Sequence, residues 1–284
     1  MAVVWSGTDF DTASMCWYQL NLSIKAQQGE TMPVSEGGFI WYELMTNDVA
    51  QAEAFYTRVV GWNAADADMP GTKYIFLKAG ERQVAGIMDM LSQAAAAPAC
   101  WMSYILTSDV DGMAERVKQS GGVVHRPPAD IPGVGRFAVV ADPQGASFML
   151  FRGDGTPAPD LAPGTPGAIG WHELHARDWQ AALSFYQGLF GWEKARSSDM
   201  GPVGTYQTFN VGGVWTGGMF NDASARTAYW LLYFSVEDID AAVARIAEAG
   251  GKRLQGPIQV PGGSWVVEAT DSQGGSFALM GPRH

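Results

Sequence analysis

The sequence has 284 residues, enough for about two domains, and its 47% hydrophobic and 17% charged side chains exclude a disordered chain. A formal net charge of −11, with no stripe of Lys and Arg, excludes a nucleic-acid partner, because phosphate-backbone binding relies on clustered cations. No apolar run approaches the ~20 residues of a membrane helix, so no membrane partner is expected. Cys16 and Cys100 stand far apart and outside any Cys-x-x-Cys pattern, which fits a reduced, cytoplasmic protein.

Residues 1–31 keep neither the helical nor the strand period. They are expected to be a functionally silent tail, with Met32 as the natural start. Residues 39–46 alternate as a strand, with Tyr42 and Leu44 on one face and Trp41, Glu43 and Met45 on the other. Asp48 is placed to cap a helix whose buried stripe is Ala52, Phe55, Tyr56 and Val59, and Gly61 stands where that helix wants a positive φ. Residues 72–78 and 83–89 read as strands, and an Ala/Pro stretch at 94–99 leads into a second unit. There residues 101–107 alternate again, and Val110, Met113, Ala114 and Val117 mark a helix ended by Gly121-Gly122. Strands come next near 122–126, 135–141 and 146–152, the last two joined by a tight turn at Asp142-Pro143-Gln144-Gly145. Residues 153–168 form a Pro/Gly-rich linker, and helices near 179–190 and 238–249 belong to the second half of the chain.

That second half is the same sequence read again. Trp41, Glu43, Leu44, Asp48, Ala52, Phe55, Tyr56, Gly61 and Trp62 reappear without a gap as Trp171, Glu173, Leu174, Asp178, Ala182, Phe185, Tyr186, Gly191 and Trp192. The turn returns as Asp271-Ser272-Gln273-Gly274. The chain therefore divides into a tail (1–36), a first domain (37–152), a linker (153–168) and a second domain (169–284). The fold class is α+β. Four βαβββ modules pair off in two tandem domains, and each pair closes a half-barrel cup lined by alternate strand residues.

A strand, an Asp, a helix bearing Phe-Tyr, then Gly-Trp, with a later Asp-Pro-x-Gly turn before the last strand, resembles the vicinal oxygen chelate superfamily. That group includes glyoxalase I, extradiol dioxygenases and the fosfomycin and bleomycin resistance proteins. The match is best to its tandem four-module bacterial branch, glyoxalase-like or hydroxylase-like, and covers residues 39–281. The resemblance implies metal ligands in each cup, one of them an inward Glu on the strand ending each first unit, which residues 83–89 and 214–220 do not offer; three other places can be counted out. Seven residues before the helix-starting Asp stand Trp41 and Trp171; nineteen before the helix-ending Gly stand Met102 and Leu231. Seven after the Asp of the turn stand Met149 and Ala278. None of these side chains suits a divalent metal in an oxygen-chelating role, so no metal and no cofactor are expected.

Glu43 and Glu173 lie two residues beyond the tryptophans and share the inward face. Each is open to two readings: a desolvated general base or ligand anchor, or a carboxylate bonded to a neighbour such as Tyr104 or Tyr233. His175 joins Glu173 on that face where the first half has Met45, and is the candidate acid–base partner. His172 points to the helix side and reads as structural. The change from Arg136 to Trp265 suggests cups of different preference.

The expected function is binding of a small, apolar or aromatic molecule in one or both cups, without a metal. Trp41, Met102, Tyr104, Met149, Trp171, Leu231 and Tyr233 would line the cups. The alternative is a glyoxalase-like lyase, hydrolase or hydroxylase-type enzyme using Glu173 with His175, or Glu43. A scaffold with solidly packed cups is a third reading. The protein would act as a monomer or homodimer.

Overall fold

The computed structural model describes residues 35–68, 73–90, 98–154, 161–162 and 164–284; the tail and Cys16 lie outside them. The first half contains β1 (Phe39–Thr46), α1 (Val49–Val59), β2 (Asn63–Asp66), β3 (Tyr74–Ala79) and β4 (Arg82–Asp89), then β5 (Cys100–Leu106), α2 (Val110–Gln119), β6 (Val123–Ile131), β7 (Gly135–Ala141) and β8 (Ser147–Gly153). The second half repeats this as β9 (Ile169–Ala176), α3 (Trp179–Phe190), β10 (Glu193–Asp199), β11 (Thr205–Val211) and β12 (Val214–Asn221), then β13 (Tyr229–Ser235), α4 (Ile239–Glu248), β14 (Lys252–Gln259), β15 (Trp265–Thr270) and β16 (Ser276–Gly281). No helix among the described residues is long and apolar enough to cross a membrane.

Each helix starts where its aspartate cap predicts. Asp48 accepts from the Gln51 amide, Asp109 from Gly112, Asp178 from Gln180 and Ala181, and Asp238 from Ala241. Gly61 comes just after α1 with φ 88°, a conformation that a side chain would strain. The edge strand β2 is short and polar, so alternation gave no sign of it.

Each half is one eight-stranded sheet, in the orders β2-β3-β4-β1-β5-β8-β7-β6 and β10-β11-β12-β9-β13-β16-β15-β14. The first strands of the two modules pair antiparallel at the centre, β1 with β5 and β9 with β13. Alternation then sorts the side chains. Tyr42, Leu44, Trp101, Ile105, Phe148 and Leu150 face the helices and join one continuous core that runs through both halves. Their neighbours along each strand face the concave side.

The shared core is held by a reciprocal set of bonds between the halves. Tyr56 donates to Asp271 at 2.9 Å, and its repeat, Tyr186, donates to Asp142 at 3.2 Å. Trp62 Nε1 reaches the Gly167 carbonyl at 2.8 Å, and Trp192 Nε1 the Gly37 carbonyl at 2.9 Å. Gln273 bonds both backbone groups of Asp48, while Gln144 bonds the backbone of Arg177 and Asp178. The repeated turn is thus more than the hairpin connection read from sequence. Its Asp caps the turn through amides, such as Gln144 and Ala146 onto Asp142, and its other oxygen ties the halves together.

Replacing Tyr56 by Phe is expected to cost about 1–3 kcal/mol, because it takes the tyrosine donor from Asp271 Oδ2 and removes the acceptor of Trp101 Nε1 (2.9 Å). Denaturant unfolding reads this directly. An unchanged midpoint would show that the bond across the halves carries no weight.

Candidate functional site

In the first cup, Met102, Tyr104, Phe137 and Met149 form a separate apolar cluster with Ile40, Trp41, Met45, Ala129, Ile131, Val139 and Phe151 packed against it. Glu43 sits among them, only 4% exposed. Its carboxylate accepts hydrogen bonds from the hydroxyls of Tyr104 and Tyr74, and Tyr74 in turn accepts from Trp41 Nε1 at 3.1 Å. Burial raises the Glu43 carboxyl above its usual range, outweighing the two tyrosines that pull it down.

In the second cup, Leu231, Tyr233 and Ala278 cluster with Trp171, Val266 and Met280. Glu173 accepts from Tyr206 at 2.6 Å and Tyr233 at 2.9 Å, and Trp171 Nε1 bonds the Tyr206 oxygen at 2.9 Å. Here the carboxylate also has a histidine. His175 Nδ1 lies 3.0 Å from Asp222 Oδ2 and 3.0 Å from the Tyr229 oxygen. Its Nε2 lies 3.2 Å from Glu173 Oε1, a charge contact without the alignment of a hydrogen bond. The ring stacks on Tyr229, with centroids 4.4 Å apart.

These contacts reverse the electrostatics of the first cup. Burial pushes Glu173 up, but His175, Tyr206 and Tyr233 bring it below the usual carboxylate value. Burial pushes His175 down, but Glu173 and Asp222 raise it overall. Both shifts favour a charged pair. Glu268 lies close by, raised by burial and by the Glu173 charge, with His175 opposing.

Strand register shows how far the cups have diverged. Met45 pairs with Met88 and Cys100 where His175 pairs with Phe220 and Tyr229. Val139 opposes Met149 where Glu268 opposes Ala278. The Met90 amide bonds Thr46 where that of Asp222 bonds Ala176. So Met45, Met88, Met90, Cys100 and Val139 occupy the places of His175, Phe220, Asp222, Tyr229 and Glu268.

The seven lining residues expected from sequence all fall on cup faces: Trp41, Met102, Tyr104 and Met149 in the first, Trp171, Leu231 and Tyr233 in the second. Glu173 and His175 come together, and Glu43 lies apart in its own cup. Tyr74, Tyr206, Asp222, Tyr229 and Glu268 were missed. The repeat offered a signal for the first two, since tyrosine recurs on the third strand of both halves. The Arg136 to Trp265 change does not bear on the cups. Arg136 pairs with Asp111 of α2 and with Asp130, on the helix-bearing face, and Trp265 packs against the main core beneath Arg283. His172 is buried against Tyr42 and Phe39 on the helix side.

The positions that the resemblance assigns to metal ligands bring together Trp41, Met102 and Met149 in one cup and Trp171, Leu231 and Ala278 in the other. That donor set does not fit a divalent cation, which takes imidazole, thiolate or oxygen ligands. Among the described residues no group of three or more His, Cys, Asp or Glu side chains is placed to hold a metal ion.

The chain is 31% identical over 260 residues to the anthracycline biosynthesis protein DauV of Streptomyces sp. (strain C5), covering 86% of this chain and 93% of that protein. In structure it is similar to the 2,3-dioxygenase LapB from Pseudomonas sp. KL28, with a TM-score of 0.59 at 12% identity over 90% of this chain and 94% of that one. The Mn(II)-bound glyoxalase from Novosphingobium aromaticivorans gives 0.58 at 18% identity over 89% and 83%. At such identities these two likenesses speak for the fold alone. A family model matches residues 38–150 and again 168–277, and the chain belongs to the Glyoxalase/Bleomycin resistance protein/Dioxygenase superfamily.

Proposed function

We propose that this protein binds a small, apolar or aromatic organic molecule in one or both cups, without the metal centre of its metal-dependent relatives. One observation carries the reading. The concave face of each sheet is lined by aromatic, aliphatic and thioether side chains around a carboxylate, Glu43 or Glu173, that two tyrosines hold in place. Such a surface suits a ligand with an apolar body and one polar group. The reading sets the protein in the cytoplasm, as a monomer or homodimer.

A second reading has its own support. His175 stands between Glu173 and Asp222, an arrangement able to take up and return a proton. The alternative is therefore a glyoxalase-like lyase, hydrolase or hydroxylase-type enzyme working through Glu173 and His175 in the second cup.

Native mass spectrometry of untagged protein from its own host tests the first reading. The expected spectrum shows a retained organic molecule and well under about one equivalent of divalent ion per cup. Stoichiometric metal that is lost on replacing Glu43 or Glu173 would overturn it. Turnover of an α-ketoaldehyde or a lactone, abolished in Glu173→Gln, would establish the second reading in its place.

A further inference from the structure

The two cups differ by a reversal of charge at one matched pair of positions. In the first, Arg126 pairs across β6 and β7 with Val139, an apolar residue of the cup cluster. In the second, the same pair is Gln255 and Glu268. A cation in one cup thus stands against a carboxylate in the other.

Arg126 belongs to the concave face by its contacts as well as its register. Its guanidinium lies 4.8 Å from the centroid of the Phe137 ring, a member of the cup cluster. Its charge also reaches the Tyr104 hydroxyl, where it opposes the upward push of burial and of Glu43. Among the described residues no carboxylate pairs with it, in contrast to Arg136 on the opposite face, which holds Asp111 and Asp130. A guanidinium stacked on an aromatic ring keeps its in-plane N–H donors free, and those donors match a carboxylate or a phenolate.

We infer that the first cup is a site for aromatic anions: the ring lies among Trp41, Met102, Phe137 and Met149, and the anionic group lies on Arg126. The thioethers of Met102 and Met149 and the edges of the rings give favourable, adaptable contacts to a flat π-system. Glu43 does not repel such a ligand strongly, because two tyrosine hydroxyls already point at its oxygens. The second cup, with Glu173, Asp222 and Glu268 around one histidine, disfavours the same anion. The inference rests on the reading of the cups as small-molecule sites and adds the charge of the ligand and the residue that selects it.

The test uses three probes of one shape: 2-naphthoate, its neutral methyl ester and the cationic 2-naphthylmethylammonium. Each is titrated into the full chain by calorimetry, with quenching of tryptophan fluorescence as a second readout. The expected result is one 2-naphthoate site, preferred about tenfold or more over the ester, since a charge-assisted hydrogen bond commonly contributes that much. The preference should shrink as salt is raised. Arg126→Gln should bring acid and ester to within about twofold of each other, Arg126→Lys should keep part of the preference, and Gln255→Ala should leave it intact. Because the Arg126 side chain is exposed, these variants should melt with the wild type. Equal binding of acid and ester by the wild type, or a preference that survives Arg126→Gln, overturns the inference while the cups remain ligand sites. Failure of all three probes to bind overturns both.

Discussion

Replacing Glu173 by Gln is expected to lower the unfolding free energy by about 2 kcal/mol or more, whereas Glu43→Gln should change it by less than about 1 kcal/mol. The two residues are repeats of each other, and each accepts hydrogen bonds from two tyrosines. The difference between them is His175, 3.2 Å from Glu173, where the first cup has Met45. Glu173→Gln takes away the more buried of the two carboxylates that hold His175 charged and leaves it with Asp222 alone at contact distance, and weakening the compensation of a buried charge is costly. Glu43 has no such partner, and burial has already raised its carboxyl, so neutralising it removes a charge that the fold tolerates poorly.

The pH dependence comes from the same shifts. Glu173 is depressed in the folded state, so its contribution is present above the ordinary carboxylate range and is lost as pH falls through the folded value. His175 is raised, so its contribution is present below the ordinary imidazole value and is lost as pH rises through the folded value. The pair therefore stabilises most in the mildly acidic window between them. Urea unfolding of both Gln variants across that window is the measurement. Equal losses at positions 43 and 173 would mean that His175 is not paired with Glu173.

Reading the sequence goes far for the fold because alternation and the repeat act at short range. Trp41, Glu43 and Met45 announce one face of β1, and Asp48 and Gly61 bound the helix next to it. The site is less accessible for a physical reason. Asp222, Tyr229 and Glu268 reach His175 from the end of β12, the start of β13 and the middle of β15, and only sheet pairing brings them together. Parallel register has no local signal, since nothing near Asn221 in sequence says that it will lie opposite Ala176. Arg136 shows the opposite error. A step of one residue along a strand moves a side chain to the other face, and Arg136 lies on the helix side while Phe137 enters the cup. Nor could the repeat alone reveal that Tyr56 would bond Asp271 of the other half rather than Asp142 of its own.

The second large effect concerns the seam between the halves. His172 occupies the repeat position of Tyr42, and the two meet, with the Tyr42 oxygen 2.6 Å from His172 Nε2. His172 Nδ1 lies 2.8 Å from the Thr216 carbonyl, which can only accept. The proton therefore sits on Nδ1, and Nε2 accepts from the tyrosine. The ring is stacked at 3.8 Å on Phe39. Desolvation pulls this histidine down to about 4 from the ordinary 6.5, against the Thr216 bond, which favours the cation. The folded state then binds fewer protons than the unfolded chain between those two values, so stability falls as pH drops through that window and levels off below it. A shift of that size corresponds to a loss on the order of 3 kcal/mol. His172→Phe keeps the stack and removes the titration. Its stability should be lower than that of the wild type at pH ~7.5, by about 1–3 kcal/mol for the loss of the His172 bonds to Tyr42 and Thr216. As the pH drops to ~4 the two curves should meet, and cross wherever the variant's deficit is smaller than the wild type's loss, because only the wild type has a proton to gain on unfolding at this site. Glu173 and His175 titrate in both proteins, so their effects cancel in the difference. Parallel curves across that range would show that His172 is not held neutral at the seam.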